Sequence, residues 1–587
     1  MEIKRGIPVS PGVAIGPAMV LDTEGVRIPQ RCIDPHDVER EVQRLRAALR
    51  EAALQASDNQ RIISEKLGVQ YGRIFGAHAT LIEDPVLVRE IEALIRDNHY
   101  AAEYAVSRVM NRHAKELQSL QNPLFAARAT DLFDIEKSIL HVLLGQRRQC
   151  LQELDTPVIV LAHDLTPYET AHLDRARVHA FATEAGGRAS HTAIMASALD
   201  IPAVVGLGEF VTDVSGGDTV IVDGNRGVLI INPDEETLQR YEHVRNRFRD
   251  FISQLKELRD LPAETRDGHR VQLLGNIEFP QEASHCLEHG ADGVGLYRTE
   301  FLYLGRQTDP TEDEHLDAYL TVLRTLGPKQ PLVIRTLDLG ADKFAPGAET
   351  PTVEHNPFLG LRSVRLCLRN LALFKTQIRA ILRASAFGDV RIMFPMISTV
   401  LELRQCKMIL AEVKEDLDDE GVSYNRQLPV GTMIEVPSAA VMAEELAREV
   451  DFFSIGTNDL IQYTLAADRT NEAVAALYSA SDPAVLRLMR SVIEAARKHG
   501  IGVNVCGEMS GDPIYTLLLL GMGLRQLSMT PHLIPEIKKI IRSVSVPEAR
   551  QVAEEALRLE TARDVTSYLR EQLRRVLPEA MGDAALR

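Results

Sequence analysis

The run Gly186-Gly187-Arg188-Ala189-Ser190-His191-Thr192-Ala193 sets paired glycines ahead of a histidine, in what reads as a loop entering a helix. Glycines allow tight backbone approach. A histidine at a helix N-terminus sits beside free N–H groups and the positive end of the dipole, a favourable place for an imidazole that carries a phosphoryl group. Zinc ligation would need partners at recognisable spacing, and His163, His172 and His179 offer none. A nucleophilic role for His191 is the stronger reading.

Farther along, reactive residues directly follow apolar runs: Arg298 and Glu300, Arg335 and Asp338, Glu435, Asn458 and Asp459, Cys506 and Glu508. Surface ion pairing is the ordinary fate of an arginine and contributes little. Arg298 and Arg335, however, stand at the ends of apolar runs, where planar guanidinium forks can clamp phosphate oxygens bidentately. Position alone says less of Arg362 and Arg469. Glu435 and Asp459 lie about one βα repeat apart, so adjacent strand ends would let them share one Mg²⁺ with substrate oxygens; the competing reading is separate helix caps or ion-pair partners. A free cysteine is most often a small buried hydrophobe, the reading that fits Cys32, Cys150, Cys286, Cys367 and Cys406. Cys506 differs, because at a strand end ahead of Gly507-Glu508 a thiol can trade a proton with a carbanionic or enolate centre.

Such residues need a scaffold that gathers strand ends. Beyond Pro262, eight strand-like runs alternate with helical patterns: 271–274, 293–296, 332–334, 391–394, 430–434, 452–455, 502–505 and 526–529. That alternation predicts a (β/α)8 barrel with its active site at the carboxyl ends of the strands. Ahead of it, residues 234–261 place Leu238, Tyr241, Val244, Phe248, Phe251, Leu255 and Leu258 on one stripe, which predicts a long connecting helix. The runs Val158-Ile159-Val160 and Val220-Ile221-Val222 predict a compact α/β unit. Between Asp34 and Gly145 the pattern is helical. Asp34-Pro35 makes an N-cap with proline behind it, Val38, Val42, Leu45 and Leu49 recur at helical spacing, and further helices are expected near 85–96 and 101–120.

The chain has 587 residues, 45% hydrophobic and 25% charged, no tryptophan, and a formal net charge of -17. Its length calls for several cores. The charge opposes non-specific attraction to nucleic acid or anionic membrane. Six scattered cysteines without a CxxC pair fit reduced thiols in a cytoplasm. The start MEIKRGIPVSPG lacks the apolar core of a signal peptide, and no run reaches the length that spans a bilayer, so neither export nor membrane insertion is expected.

At these residues the sequence resembles Enzyme I of the bacterial phosphoenolpyruvate:sugar phosphotransferase system, through nearly the whole chain. The stretches GIPVSPGVAIGPA, DLTPYET, GGRASHTAIMA, GVGLYRTEF, NPFLG, RASAFGDVRIMFPM, DFFSIGTNDLIQYTLA and CGEMSGD carry the likeness in order and spacing. The resemblance implies a multidomain α/β protein: a swivelling phosphohistidine α/β domain (1–22 and 145–233) with an inserted all-α domain (23–144) that docks the phosphocarrier HPr. A linker helix (234–261), a phosphoenolpyruvate-binding TIM barrel that also dimerises (262–575) and a C-terminal tail (576–587) would follow. It implies that His191 takes the phosphoryl group of phosphoenolpyruvate, releasing pyruvate, and passes it to HPr, the first step of sugar uptake. Thr170 would orient the His191 ring. Arg298, Arg335, Arg469 and the Asn458-Asp459 pair would contact substrate, with Lys343 and Arg362 as supporting phosphate contacts. Glu435 and Asp459 match the Mg²⁺ ligands, and Cys506 matches the residue that protonates the enolate. Two departures bear on the loop near Lys343: Ala341 stands where the family often has a second glycine, and His355 where an acidic residue is common.

Rival readings are weaker. Pyruvate phosphate dikinase and phosphoenolpyruvate synthase share the phosphohistidine and barrel modules but add a large ATP-binding domain, and here few residues precede Gly6 and no Walker-type loop is present. The nitrogen-related Enzyme I paralogue normally carries an upstream sensory domain, which is not expected in this sequence. A regulatory protein that keeps the fold without turnover would be expected to lack a catalytic residue. A barrel-only Mg²⁺ lyase would have no use for the histidine-bearing segment. One histidine serving both substrate and partner further predicts domain motion about the 234–261 helix.

Overall fold

The structure is a computed structural model that describes residues 1–21, 31–67, 69–119, 123–144, 157–165, 177–187, 201–303, 308–340, 356–469, 471 and 474–577. The chain forms two compact units, residues 1–249 and 250–587.

The first unit contains an eight-stranded mixed sheet. Its strands are β1 (Glu2–Arg5), β2 (Ile7–Ser10), β3 (Val13–Leu21), β4 (Val158–Ala162), β5 (Val178–Thr183), β6 (Ala203–Val205), β7 (Thr219–Asp223) and β8 (Val228–Ile231). They run in the order β1-β8-β7-β3-β4-β5-β6-β2. Side chains alternate between two cores: Ile159 and Leu161 enter one with Ala180 and Val204, while Val158 and Val160 enter the other with Phe181 and Val205. That is the period-two signature of a sheet covered on both faces.

Between β3 and β4 the described residues form five helices, α1 (Val38–Leu67), α2 (Val69–Ile82), α3 (Pro85–Asn98), α4 (Ala102–Ser119) and α5 (Pro123–Leu144). The Asp34 side chain accepts from the His36 N–H at 2.9 Å and opens a short 3-10 turn, Pro35–Asp37, that leads into α1. Val42, Leu45 and Leu49 are buried in the helical core, against Ile91, Ile95 and Val106. Cys32 departs from expectation. It is exposed, because the short extended segment that carries it only bridges to Tyr100, with Ile33 N donating to His99 O, and leaves its side chain outside the helical core. Cys286, Cys367, Cys406 and Cys506 are buried free thiols, and Cys150 lies outside the described residues.

The connecting helix runs Glu235–Glu257, with Asp234 accepting the Thr237 N–H at 2.8 Å. Tyr241 packs with Val13, Ile221 and Ile230, whereas Leu255 belongs to the barrel's core.

The second unit is a closed parallel barrel of β9 (Gln272–Ile277), β10 (Val294–Arg298), β11 (Leu332–Arg335), β12 (Val390–Phe394), β13 (Val430–Ile434), β14 (Phe452–Ile455), β15 (Gly502–Val505) and β16 (Gln526–Met529). All eight sequence runs become strands, and β16 closes on β9 through Gln526 opposite Gln272. Among the described residues no helix is long and apolar enough to cross a membrane.

Candidate active site

The barrel brings the reactive strand ends to one mouth. Arg298 ends β10 and Arg335 ends β11, in register with each other. Glu435 follows β13. Asn458 and Asp459 open the helix Thr457–Leu465 after β14, and Cys506 follows β15.

Arg335 is buried and held on two carboxylates: Nη2 donates to Glu300 Oε1 at 2.9 Å, and Nη1 lies 3.1 Å from Asp338 Oδ2. Asp338 reaches Arg362 Nη2 at 3.0 Å through its other oxygen. Burial works to raise the Asp338 carboxyl, but Arg335 and Arg362 hold it below the usual carboxylate range. Glu300 goes the other way, pushed up by burial against the pull of Arg335. Burial lowers both guanidinium groups, and the carboxylates around them outweigh it, so both stay firmly charged. Arg335 Nε is buried without a partner, a donor at the mouth that a ligand oxygen can satisfy.

Arg298 is more open. It donates through Nη1 to Glu278 Oε1 at 2.6 Å, with about a third of each side chain exposed. It faces a pocket of about 450 Å³ that also has Asn276, Asn458, Tyr478, Gly507 and Glu508 on its wall. Asn458 is fixed there, its Oδ1 accepting from the Glu508 N–H at 2.9 Å and its amide donating to Glu508 Oε1 at 3.2 Å. Gly507 is required by close approach, because a Cβ would fall 1.9 Å from Thr457 Oγ1. Arg469 is exposed, and its backbone N–H donates to Gln462 Oε1 at 3.3 Å.

Glu435 is almost fully buried. Its Oε1 accepts from the Met396 N–H at 2.6 Å, delivered by a backbone with φ of 55° at Met396, the strained left-handed region. Burial, then the nearby Asp459 and Asp338, push its carboxyl up to about 8. Asp459 is buried too, and its Oδ1 has no hydrogen-bond partner. Two enclosed carboxylates, one with an orphaned oxygen, suit a hard divalent cation. Among the described residues no group of three or more His, Cys, Asp or Glu side chains is set for a metal. This pair would therefore supply only part of a shell, with substrate oxygens and water as the rest.

Cys506 is 2% exposed and packs with Leu296, Val333, Met393, Met433 and Phe452 inside the barrel. Its Sγ lies 3.7 Å from Ile455 O, and burial pushes the thiol up to about 11. It is a protonated thiol at neutral pH.

Two supports of Arg335 escaped sequence reasoning. Gln377 receives the Leu337 N–H at 2.9 Å and donates to Thr299 Oγ1 at 2.9 Å, while Thr299 donates to the Arg335 carbonyl at 2.9 Å. The available signal was a glutamine beside Leu373, Phe374, Ile378 and Ile381 on an apolar stripe. Glu278, the partner of Arg298, gave none.

His191, Thr170 and Lys343 lie outside the described residues, as do Ala341 and His355. The approach to His191 is described. After β5, Glu184 accepts the N–H groups of Phe210 at 2.6 Å and Val211 at 2.7 Å, and it pairs with His163 Nδ1 at 2.7 Å. Gly186 has φ of 105°, which only glycine adopts without strain. Gly187 differs from the expected tight approach: a Cβ there meets nothing within 4 Å among the described residues.

The profile described as PEP-utilising enzyme, PEP-binding domain, matches residues 252–546; the N-terminal PEP-utilising profile matches 5–128 and the mobile-domain profile 154–227. Phosphoenolpyruvate-protein phosphotransferase of Geobacillus stearothermophilus is 45% identical over 566 residues, 96% of this chain and 97% of the relative. That of Bacillus subtilis (strain 168) is 42% identical, over 97% of this chain and all of the relative. A solution NMR structure of an Enzyme I protein is 39% identical, covering 42% of this chain and 99% of its own, with a TM-score of 0.37. With its barrel mouth and near full-length likeness to these enzymes, the chain belongs to the phosphoenolpyruvate-protein phosphotransferase family.

Proposed function

We propose that the protein transfers the phosphoryl group of phosphoenolpyruvate to His191 and then to a histidine of HPr, the opening step of phosphotransferase-system sugar uptake. The observation that carries this reading is the buried Glu300–Arg335–Asp338–Arg362 array beside Glu435 and Asp459 at one barrel mouth. It is a cationic clamp next to two hard oxygen ligands, suited to a substrate that is both phosphate and carboxylate.

In this reading Arg298, Arg335, Arg362 and Arg469, with Lys343 and Asn458, bind and orient the phosphoryl and carboxylate oxygens. The neutral His191 imidazole, oriented by Thr170, attacks phosphorus in line. The N–P bond forms as the bond from phosphorus to the enolate oxygen breaks. The enolate's terminal carbon takes its proton from Cys506, giving pyruvate, and the thiolate recovers a proton from solvent. Glu435 and Asp459 would hold Mg²⁺, which when bound disperses negative charge on the phosphoryl oxygens. Enclosure of Arg335, Glu435 and Cys506 excludes water and strengthens each interaction.

We further assign the work as follows: the α/β domain (1–22 and 145–233) carries His191, the helical domain (23–144) docks HPr, the helix region (234–261) links, and the barrel (262–575) binds substrate and pairs with a second copy. The setting would be cytoplasmic. The test is incubation with Mg²⁺ and phosphoenolpyruvate labelled at phosphorus. Acid-labile protein label and pyruvate are expected from the wild type and neither from His191→Ala; absence of both from the wild type would favour a non-catalytic regulatory role.

A further inference from the structure

The opposite face of the barrel carries a second concentration of positive charge. A pocket of about 830 Å³ lies against Gly502 and Gln526, the first residues of β15 and β16, and so at the amino ends of the strands. Five arginines line it: Arg490 and Arg497 from the helix Pro483–His499, Arg525 from the approach to β16, Arg550 from the helix Val546–Ala556, and Arg558 just beyond that helix. Only two carboxylates, Glu494 and Glu554, share the lining. On a chain of net charge -17 this is an anomaly.

The pairing sharpens it. Arg490 lies 3.6 Å from Glu494, and Arg558 lies 3.2 Å from Glu555. Arg497, Arg525 and Arg550 have no carboxylate within ion-pair distance among the described residues. Arg497 alone would be an ordinary basic residue in the last turn of a helix, answering its dipole. Arg525 is not ordinary. Its Nη1 donates to the carbonyls of Leu520 at 3.1 Å and Leu524 at 2.7 Å, which anchors the guanidinium plane and leaves its other nitrogens for the pocket. Burial and the neighbouring Arg550 disfavour its charge against the pull of the Asp267 carboxylate, which lies beyond ion-pair distance. Ile493, Val503, Met522 and Leu557 supply an apolar wall.

Guanidinium groups converging from three elements match phosphate oxygens, and the cavity's size and apolar wall match a small organic molecule. We propose that this amino-terminal pocket is a binding site for a phosphorylated small molecule with at least two anionic groups, separate from the substrate mouth. An occupant would be an effector, since among the described residues no nucleophile or acid–base pair lines the pocket.

The absence of native tryptophan provides a local reporter. Met522→Trp in the full-length chain is titrated with inorganic pyrophosphate at constant ionic strength. A saturable fluorescence change is expected, weakened at least tenfold by Arg497→Glu/Arg550→Glu, two exposed positions, and retained in Arg298→Ala at the other mouth. No saturable change, a change reproduced by KCl, or one that survives the double charge reversal overturns the proposal. Should Met522→Trp disturb folding, calorimetry on the unlabelled proteins decides: the wild type binds one more equivalent of pyrophosphate than the double variant, and equal stoichiometry overturns the site.

Discussion

Asp338 lies 3.1 Å from the Arg335 guanidinium through one oxygen and uses the other to hold Arg362, so it sets the spacing of the two guanidinium forks. Neutralising it leaves Arg335 with Glu300 but strips Arg362 of the carboxylate that holds it. Asp338→Asn is expected to lower kcat/KM for phosphoenolpyruvate about 10²-fold through misplacement of the clamp, and to destabilise the barrel, since breaking a buried pair costs about 3–5 kcal/mol. Steady-state kinetics and thermal unfolding check the two effects separately; unchanged kinetics would mean that Asp338 only holds the fold.

In the proposed mechanism Cys506 would separate two halves of the reaction. Its thiol is buried and protonated at neutral pH, with its Sγ toward the Ile455 carbonyl. Cys506→Ala is expected to slow pyruvate formation by about 10²–10⁴-fold, the span of a lost general acid, while phosphoenolpyruvate binding changes little. Rapid-quench measurement of pyruvate beside calorimetric binding distinguishes these. Equal losses in binding and turnover would point to a packing role instead.

Glu435 and Asp459 make a prediction about metal. Chelation of divalent cations is expected to abolish His191 labelling, with Mg²⁺ restoring it. Asp459→Asn should raise the Mg²⁺ concentration needed by at least tenfold, because a carboxylate with an orphaned buried oxygen is replaced by an amide. A Mg²⁺ titration of labelling rate reads this directly. An unshifted Mg²⁺ dependence would remove Asp459 from the ligand set.

Much of this site was legible because chemistry and periodicity coincide. Short apolar runs ending in Arg298, Arg335, Glu435 and Cys506 announce both a strand and its carboxyl end, and local alternation with helices yields the barrel. Strands β1 to β3 were not legible as strands: Pro8 and Pro17 interrupt their pattern, and their partners β6, β7 and β8 lie far along the chain. Pairing across such separations leaves no local trace. The same holds for Gln377 and Glu278, whose importance lies in what they touch. Exposure of Cys32 likewise depends on a bridge to Tyr100 that composition does not encode.

The helical segment of the first unit offers a pH test of its own. Asp134, half-buried in α5, has its carboxyl pushed up to about 7 by burial, with His78 and Lys137 pulling down and Asp164 and Asp131 adding to the rise. In the unfolded chain such a group titrates near ~4. Between about pH 4 and 7 the folded state therefore holds a proton that the unfolded state has lost, and stability falls as pH rises, by up to ~1.4 kcal/mol per pH unit. The stabilisation is complete below the unfolded value and gone above about 7. Asp134→Asn, which cannot ionise, should accordingly raise the melting temperature of the first unit more at pH 8 than at pH 5. Differential scanning calorimetry at the two pH values checks this, and an equal shift at both would show that Asp134 titrates as an ordinary surface carboxylate.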